Sequence, residues 1–192
     1  MEWAWLIPIF SFAAAPLIVL FGKFLPGKGS WLSILAIGGG FVMFWVVLNS
    51  WLAANAATSG CFTSENTGML TCDYERSWFN AGLVGEIGSV SLHWGILVDP
   101  LTIAMLGLVT FVALMVQIYS LAYMHGDPRF GWYFAVHSLF AAAMLTLVLA
   151  DNFLLLYVAW ELVGICSYLL IGFWHERPQA REAAKKAFIV TR

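Results

Sequence analysis

Charge is scarce in this sequence. Asp, Glu, Lys and Arg make up 10% of its 192 residues, against 61% hydrophobic. With a mean hydropathy of +0.84 the chain falls outside the balance of soluble proteins, so an integral membrane protein is expected. Cysteine is scarce too: there are three, and none are paired at metal-ligand spacing. No GxGxxG, phosphate loop or serine elbow occurs. Nothing in the chain is therefore expected to carry electrons or to bind a nucleotide, a cofactor or a metal. The formal charge of −2, with the bases clustered by position, gives nucleic acid no basic surface. The first apolar run follows Glu2 rather than basic residues and is too long for a signal h-region.

What is abundant is the long charge-free run. Trp3 to Gly22 holds no charge and two prolines, which membrane helices tolerate. A short basic turn with Lys23, Pro26 and Lys28 leads to a second run, about Trp31 to Ala53. Its Gly38, Gly39 and Gly40 serve close helix packing or bending, or simply face lipid. Asp99-Pro100 is an acid at the N-cap followed by proline in the first turn, opening a third helix that ends near Tyr123. A fourth runs from about Gly131 to Ala150, and Asp151 closes a tight turn and caps the fifth.

The spacing therefore predicts an all-α membrane protein with five transmembrane helices and the start of a sixth after Lys186. It divides into helices one and two (1–53), a long polar loop (54–98), helices three to five (99–175), and a basic turn leading into helix six (176–192). In the loop, Glu65, Asp73, Glu75 and Glu86 face a single base, Arg76, and Val90 to Trp94 alternates as a strand does, with a hairpin suggested by the glycines before it. Cys61 and Cys72 lie there with ten residues between them. They form a disulfide if the loop faces an oxidising space, or remain two free thiols. Cys166, alone in a membrane helix, reads as a small packing residue.

The fifth run, Asn152 to Trp174, has one acid and no base. Its length of roughly 34 Å exceeds a hydrocarbon core of about 30 Å, so Glu161 falls near mid-membrane. Carboxylates at that depth are costly and mark ion or proton paths, unless the acid stays protonated and only hydrogen-bonds a neighbouring helix. Tyr157, Gly164 and Tyr168 share its face at i−4, i+3 and i+7. No Lys or Arg lies midway along any of the five helices, so a cation at that depth would come from elsewhere. His137, roughly 9 Å inside the fourth helix's basic end, is either a proton relay or a histidine hydrogen-bonded in place.

Five crossings put eight of nine basic residues in turns on one side, with Arg76 alone opposite. By the positive-inside rule the amino terminus and the loop face outward. This orientation suits a bacterial plasma membrane, ahead of a thylakoid or mitochondrial inner membrane.

The run WELVGICSYLLIGFW (Trp160 to Trp174), followed by KAFIVTR (Lys186 to Arg192), resembles the antiporter-like membrane subunit of respiratory complex I, its chain L or chain 5, and the matching photosynthetic subunit. Val98-Asp99-Pro100-Leu101-Thr102 and Leu149-Ala150-Asp151-Asn152 are similar too, from helix three onward. The resemblance implies that Glu161 is the family's helix-five glutamate, whose partner is a lysine on a later helix. It also implies that Arg192 matches the arginine at the start of the sixth, and that this is the front portion of a longer subunit. His137 falls on no motif position of the family. Implied partners are other membrane subunits, the lipid bilayer and a redox arm holding FMN and iron-sulfur clusters, which takes electrons from NADH or ferredoxin to quinone. The rivals are the large subunit of an Mrp-type cation/proton antiporter, the membrane partner of an inorganic-carbon uptake system, and a packing element without transport.

Overall fold

Apolar runs without charge fold as helices because lipid offers the backbone no other hydrogen-bond partner. The computed structural model describes residues 3–22, 24–54, 60–63, 69–81 and 90–191, with 26, 75–81 and 90–94 by backbone alone. Its helices are α1 (Leu6–Phe21), α2 (Ser30–Leu52), α3 (Pro100–Tyr123), α4 (Phe130–Leu149), α5 (Phe153–Ile171) and α6 (Pro178–Thr191). The last four of the first five are long and apolar enough to cross a membrane. At 16 residues, α1 is only about 24 Å long, shorter than its charge-free run because Trp3 to Trp5 form a turn.

Between α2 and α3 the chain is not helical. Strands β1 (Cys61–Thr63), β2 (Leu70–Ala81) and β3 (Val90–Val98) form an antiparallel sheet in the order β1-β2-β3. Residues 82–89, on which the expected hairpin turn falls, lie outside the described residues. Cys61 is the direct cross-strand partner of Cys72, and the two are disulfide-bonded. Cys72 in turn pairs with Val98. All three are buried against Ile7, Phe44, Leu106 and Leu149, so the sheet is seated on the helix ends rather than standing off in water.

Two caps fix where helices begin. Asp99 Oδ1 accepts from the Thr102 N–H at 2.6 Å, with Pro100 as the first helical residue. For α5 the cap is Asn152 rather than Asp151: Asn152 Oδ1 accepts from the Leu155 N–H at 2.8 Å. Asp151 instead accepts from Asn152 Nδ2 at 2.6 Å and lies so close to Gly95 that no side chain fits at that β3 position. A backbone bridge between Ile96 and Ala150 joins the sheet to the same turn.

The opposite end carries the basic turns. Gly27 and Gly29 take φ of 63° and 87° there, which glycine adopts without steric cost. The Lys28 carbonyl packs under Gly131, and Arg129 reaches His175 and Glu176. The helices therefore run between a sheet face and a basic face. At the centre is α4, packed on α1, α2, α3 and α5. Its Ala135, Ala141, Ala142 and Ala143 are buried and let neighbouring backbones approach. Of the three α2 glycines, Gly40 is buried against Ile7, while Gly38 and Gly39 have only ordinary contacts to Leu114 and Phe10.

Candidate functional site

Glu161 is the ninth residue of the nineteen in α5 and is half-buried. Ala159 and Cys166 of this helix are fully buried, and α5 packs on α4 along one side and on α6 along another. The α6 contact runs along an i, i+4 ridge. Gly172 meets Ala184, Tyr168 packs on Phe188 at 5.7 Å between ring centroids, and Gly164 faces Thr191. Trp160 Nε1 then donates to the Thr191 carbonyl at 3.5 Å. By helical spacing Glu161 sits beside this ridge, in which Gly164 and the Tyr168 ring meet α6. Tyr157 is largely exposed, and Arg192 lies outside the described residues.

His137 is buried on α4, 12 residues from the sheet end of its helix, whereas Glu161 is 8 from that end of α5. In these antiparallel neighbours the acid is roughly 6 Å nearer the sheet face. The polar contact of His137 leads away from α5. Gln117 Nε2 on α3 is 3.2 Å from His137 Nδ1 and donates to Ser33 Oγ on α2 at 2.6 Å. Ser33 Oγ also bonds the Ser138 hydroxyl and donates to the Phe134 carbonyl at 3.4 Å. Ser33, Gln117 and Ser138 have no exposed surface. A turn nearer the basic face, Ser120 and Tyr133 share a hydroxyl hydrogen bond of 2.9 Å.

These partners of His137 were not singled out in the sequence. The one available signal was a lone amide, Gln117, in a run with no charged residue. At the basic end, a cleft of about 220 Å³ between α4, α5 and α6 is lined by Arg129, Trp132, Tyr168, Phe173, His175 and Arg181. Arg129 lies over the Phe173 ring at 5.1 Å and pairs with Glu176 at 3.1 Å.

Two family models match the chain. Residues 85–134 match "NADH-Ubiquinone oxidoreductase (complex I), chain 5 N-terminus". Residues 150–192, which contain all of α5 and α6, match "NADH:quinone oxidoreductase/Mrp antiporter, TM". Over these two segments the chain matches antiporter-like membrane subunits of the kind described for complex I and Mrp antiporters.

Among the curated relatives of this antiporter-like chain is F(420)H(2) dehydrogenase subunit L of Methanosarcina mazei, 43% identical over the whole chain and 25% of that protein. The NAD(P)H-quinone oxidoreductase subunit 5 of the Paulinella chromatophora chromatophore is 38% identical over the whole chain and 27% of its own length. The chloroplast subunit 5 of Anthoceros angustus is 50% identical over 62% of the chain and 15% of its own length. The chain thus spans about a quarter of the length of the relatives it matches throughout.

A subunit of the Mrp complex from Dietzia sp. DQ12-45-1b superposes on 96% of the chain, and on 17% of its own, with a TM-score of 0.68 and 24% identity. Likeness at that identity speaks to the fold. Family and apolar helices together make this a multi-pass membrane protein.

Proposed function

We propose that the chain forms an amino-terminal portion of a proton-translocating subunit in a redox-driven quinone oxidoreductase, and that Glu161 is a proton-loading carboxylate in it. The observation that carries this reading is an acid midway along a membrane-crossing helix, half-buried beside a packed helix seam. An ionisable group at that depth is expensive and belongs to a functional path by default. A lysine on a later helix, as the resemblance implies, would move toward or away from Glu161 and shift the proton affinity of both. This chain's own residues do no redox chemistry. NADH or another donor, FMN, iron-sulfur clusters and quinone belong to partner subunits, together with the remaining membrane subunits.

In this reading α1 is the first of five crossings, with exposed Trp3 and Trp5 at the water interface. The basic turns face the cytoplasm of a bacterium. The sheet and its disulfide face outward as a hairpin-bearing cap. In the assembled complex, Glu161→Gln abolishes proton translocation and leaves assembly in place; a Gln variant that pumps fully rules the reading out.

A second reading, the large subunit of a cation/proton antiporter, is favoured by the family model over residues 150–192, whose description joins Mrp antiporters to quinone oxidoreductases. Iron-sulfur and flavin absorbance in the purified complex favours the first reading. Sodium-dependent proton exchange without chromophores favours the second.

A further inference from the structure

Buried inside the helix bundle, away from Glu161, is an amide with one end fully used and the other idle. Gln117 Nε2 serves both Ser33 Oγ and His137 Nδ1, while Gln117 Oε1 is buried and accepts no hydrogen bond among the described residues. A buried polar atom left in that condition is destabilising. With the NH₂ group facing it, Nδ1 accepts in a neutral ring whose proton is on Nε2; with the amide turned over, Oε1 faces Nδ1 and accepts from an Nδ1–H, so the ring and the amide switch together.

A proton arriving at Nδ1 would turn that acceptor into a donor facing another donor. Rotating the Gln117 amide by half a turn removes the conflict. Oε1 then accepts from Nδ1–H and from the Ser33 hydroxyl, Ser33 accepts from Ser138, and the NH₂ group takes the place of the idle oxygen. The N–H bond formed at Nδ1 takes its proton from a hydronium ion entering from the basic face, which is left as water, and the Ser33 hydroxyl turns from the Phe134 carbonyl to Gln117 Oε1.

Further polar and charged groups stand between the cluster and the basic face. His137, Tyr133 and Arg129 follow at i−4 steps along α4. The Tyr133 ring lies 5.9 Å from that of His137, and its hydroxyl bonds Ser120 on α3. Below them Arg129 Nη1 meets His175 Nδ1 at 2.9 Å at the mouth of the cleft.

We propose that Ser33, Gln117, His137 and Ser138 form a second proton-holding site, loaded from the basic face along the α3–α4 seam and switched by turnover of the Gln117 amide. The inference rests on the reading that this subunit moves protons. The groups near the seam that bear on its titration are Tyr133 on α4 itself, Glu161 and Cys166 on the adjoining α5, and Arg129, Asp127, His175 and Glu176 at the basic end. The α2 and α3 contributors, Ser33, Gln117 and Ser120, do not titrate. Gln117 is a positioning residue whose effect passes through His137.

The test is an infrared pH titration of the intact complex in vesicles, with isotope-labelled histidine rings and with His137→Asn, Gln117→Glu and Gln117→Met variants, alongside proton yield per electron. An imidazole-to-imidazolium band should vanish in His137→Asn. Its midpoint should move up by about one pH unit or more in Gln117→Glu, where a carboxylate faces the ring. Gln117→Met, which cannot turn over, should move it down. Proton yield should fall several-fold in His137→Asn.

No histidine band lost in His137→Asn, a midpoint unmoved by both Gln117 variants, or full proton yield without His137 overturns the proposal. If His137→Asn does not assemble, the two Gln117 midpoints decide. The two readings fail separately: full pumping by Glu161→Gln overturns the role of that acid and leaves the histidine titration as it was.

Discussion

Substituting alanine for Gly107 should loosen the α2–α3 seam by an amount the structure sets. A Cβ at Gly107 would stand 2.7 Å from Phe44 Cζ, whereas carbon atoms settle at about 3.5–4.0 Å. The ring would have to give by about 1 Å. It has little room, since Phe44 is only 8% exposed and is held by Phe41 and Trp45 at centroid distances of 6.2 and 5.6 Å.

Overpacking of this kind costs about 1–3 kcal/mol. Between membrane helices the loss is one of packing, because lipid is as apolar as the ring it would contact. The assay is thermal unfolding of the purified subunit in detergent for Gly107→Ala, Phe44→Leu and the double variant. Alanine alone should lower the midpoint by several degrees. In the double variant the smaller side chain makes room for the new methyl, so its loss should be clearly less than the sum of the singles. Strict additivity, or no effect of Gly107→Ala, would refute this contact. The same antiparallel seam carries Ser33 against Gln117 nearer the basic face, so a wrong register at Phe44 would also displace the polar cluster.

Gly95→Ala would drive a methyl into the Asp151 carboxylate and should detach the sheet from the α4–α5 turn at a cost of about 1–3 kcal/mol, seen as faster hydrogen exchange across β3. Asn152→Ala removes the α5 cap and should cost about 1 kcal/mol; Asn152→Asp, which keeps the acceptor, should restore most of the midpoint. Replacing Cys61 and Cys72 together by alanine frees a link across eleven positions and should cost up to about 3 kcal/mol. Protease susceptibility of the sheet should rise while helical circular dichroism stays unchanged.

The helices were legible because the bilayer imposes a length and forbids charge, and both are visible in a one-dimensional string. The Asp99 cap followed from the same local logic. Asp151 and Asn152 are both good caps, and only the approach of Gly95 to Asp151 settles which one serves α5. The sheet was only hinted at, since β-pairing such as Cys72 with Val98 joins residues far apart in sequence. The place of Glu161 midway along α5 could be read from its position in a run, whereas the packing of α6 on that helix comes from a segment whose amphipathic pattern is short. The His137 cluster was least accessible: Ser33 lies 84 positions from the Gln117 it bonds, and no periodicity of a single helix reports a contact among three.

The central claim is that proton movement depends on the carboxylate of Glu161. Its most direct measurement is proton uptake into vesicles holding the assembled complex, comparing the native protein with Glu161→Gln at matched electron-transfer substrate. The account predicts a Gln variant that assembles and has lost pumping. A Gln variant that acidifies the vesicle lumen at the native rate would contradict it.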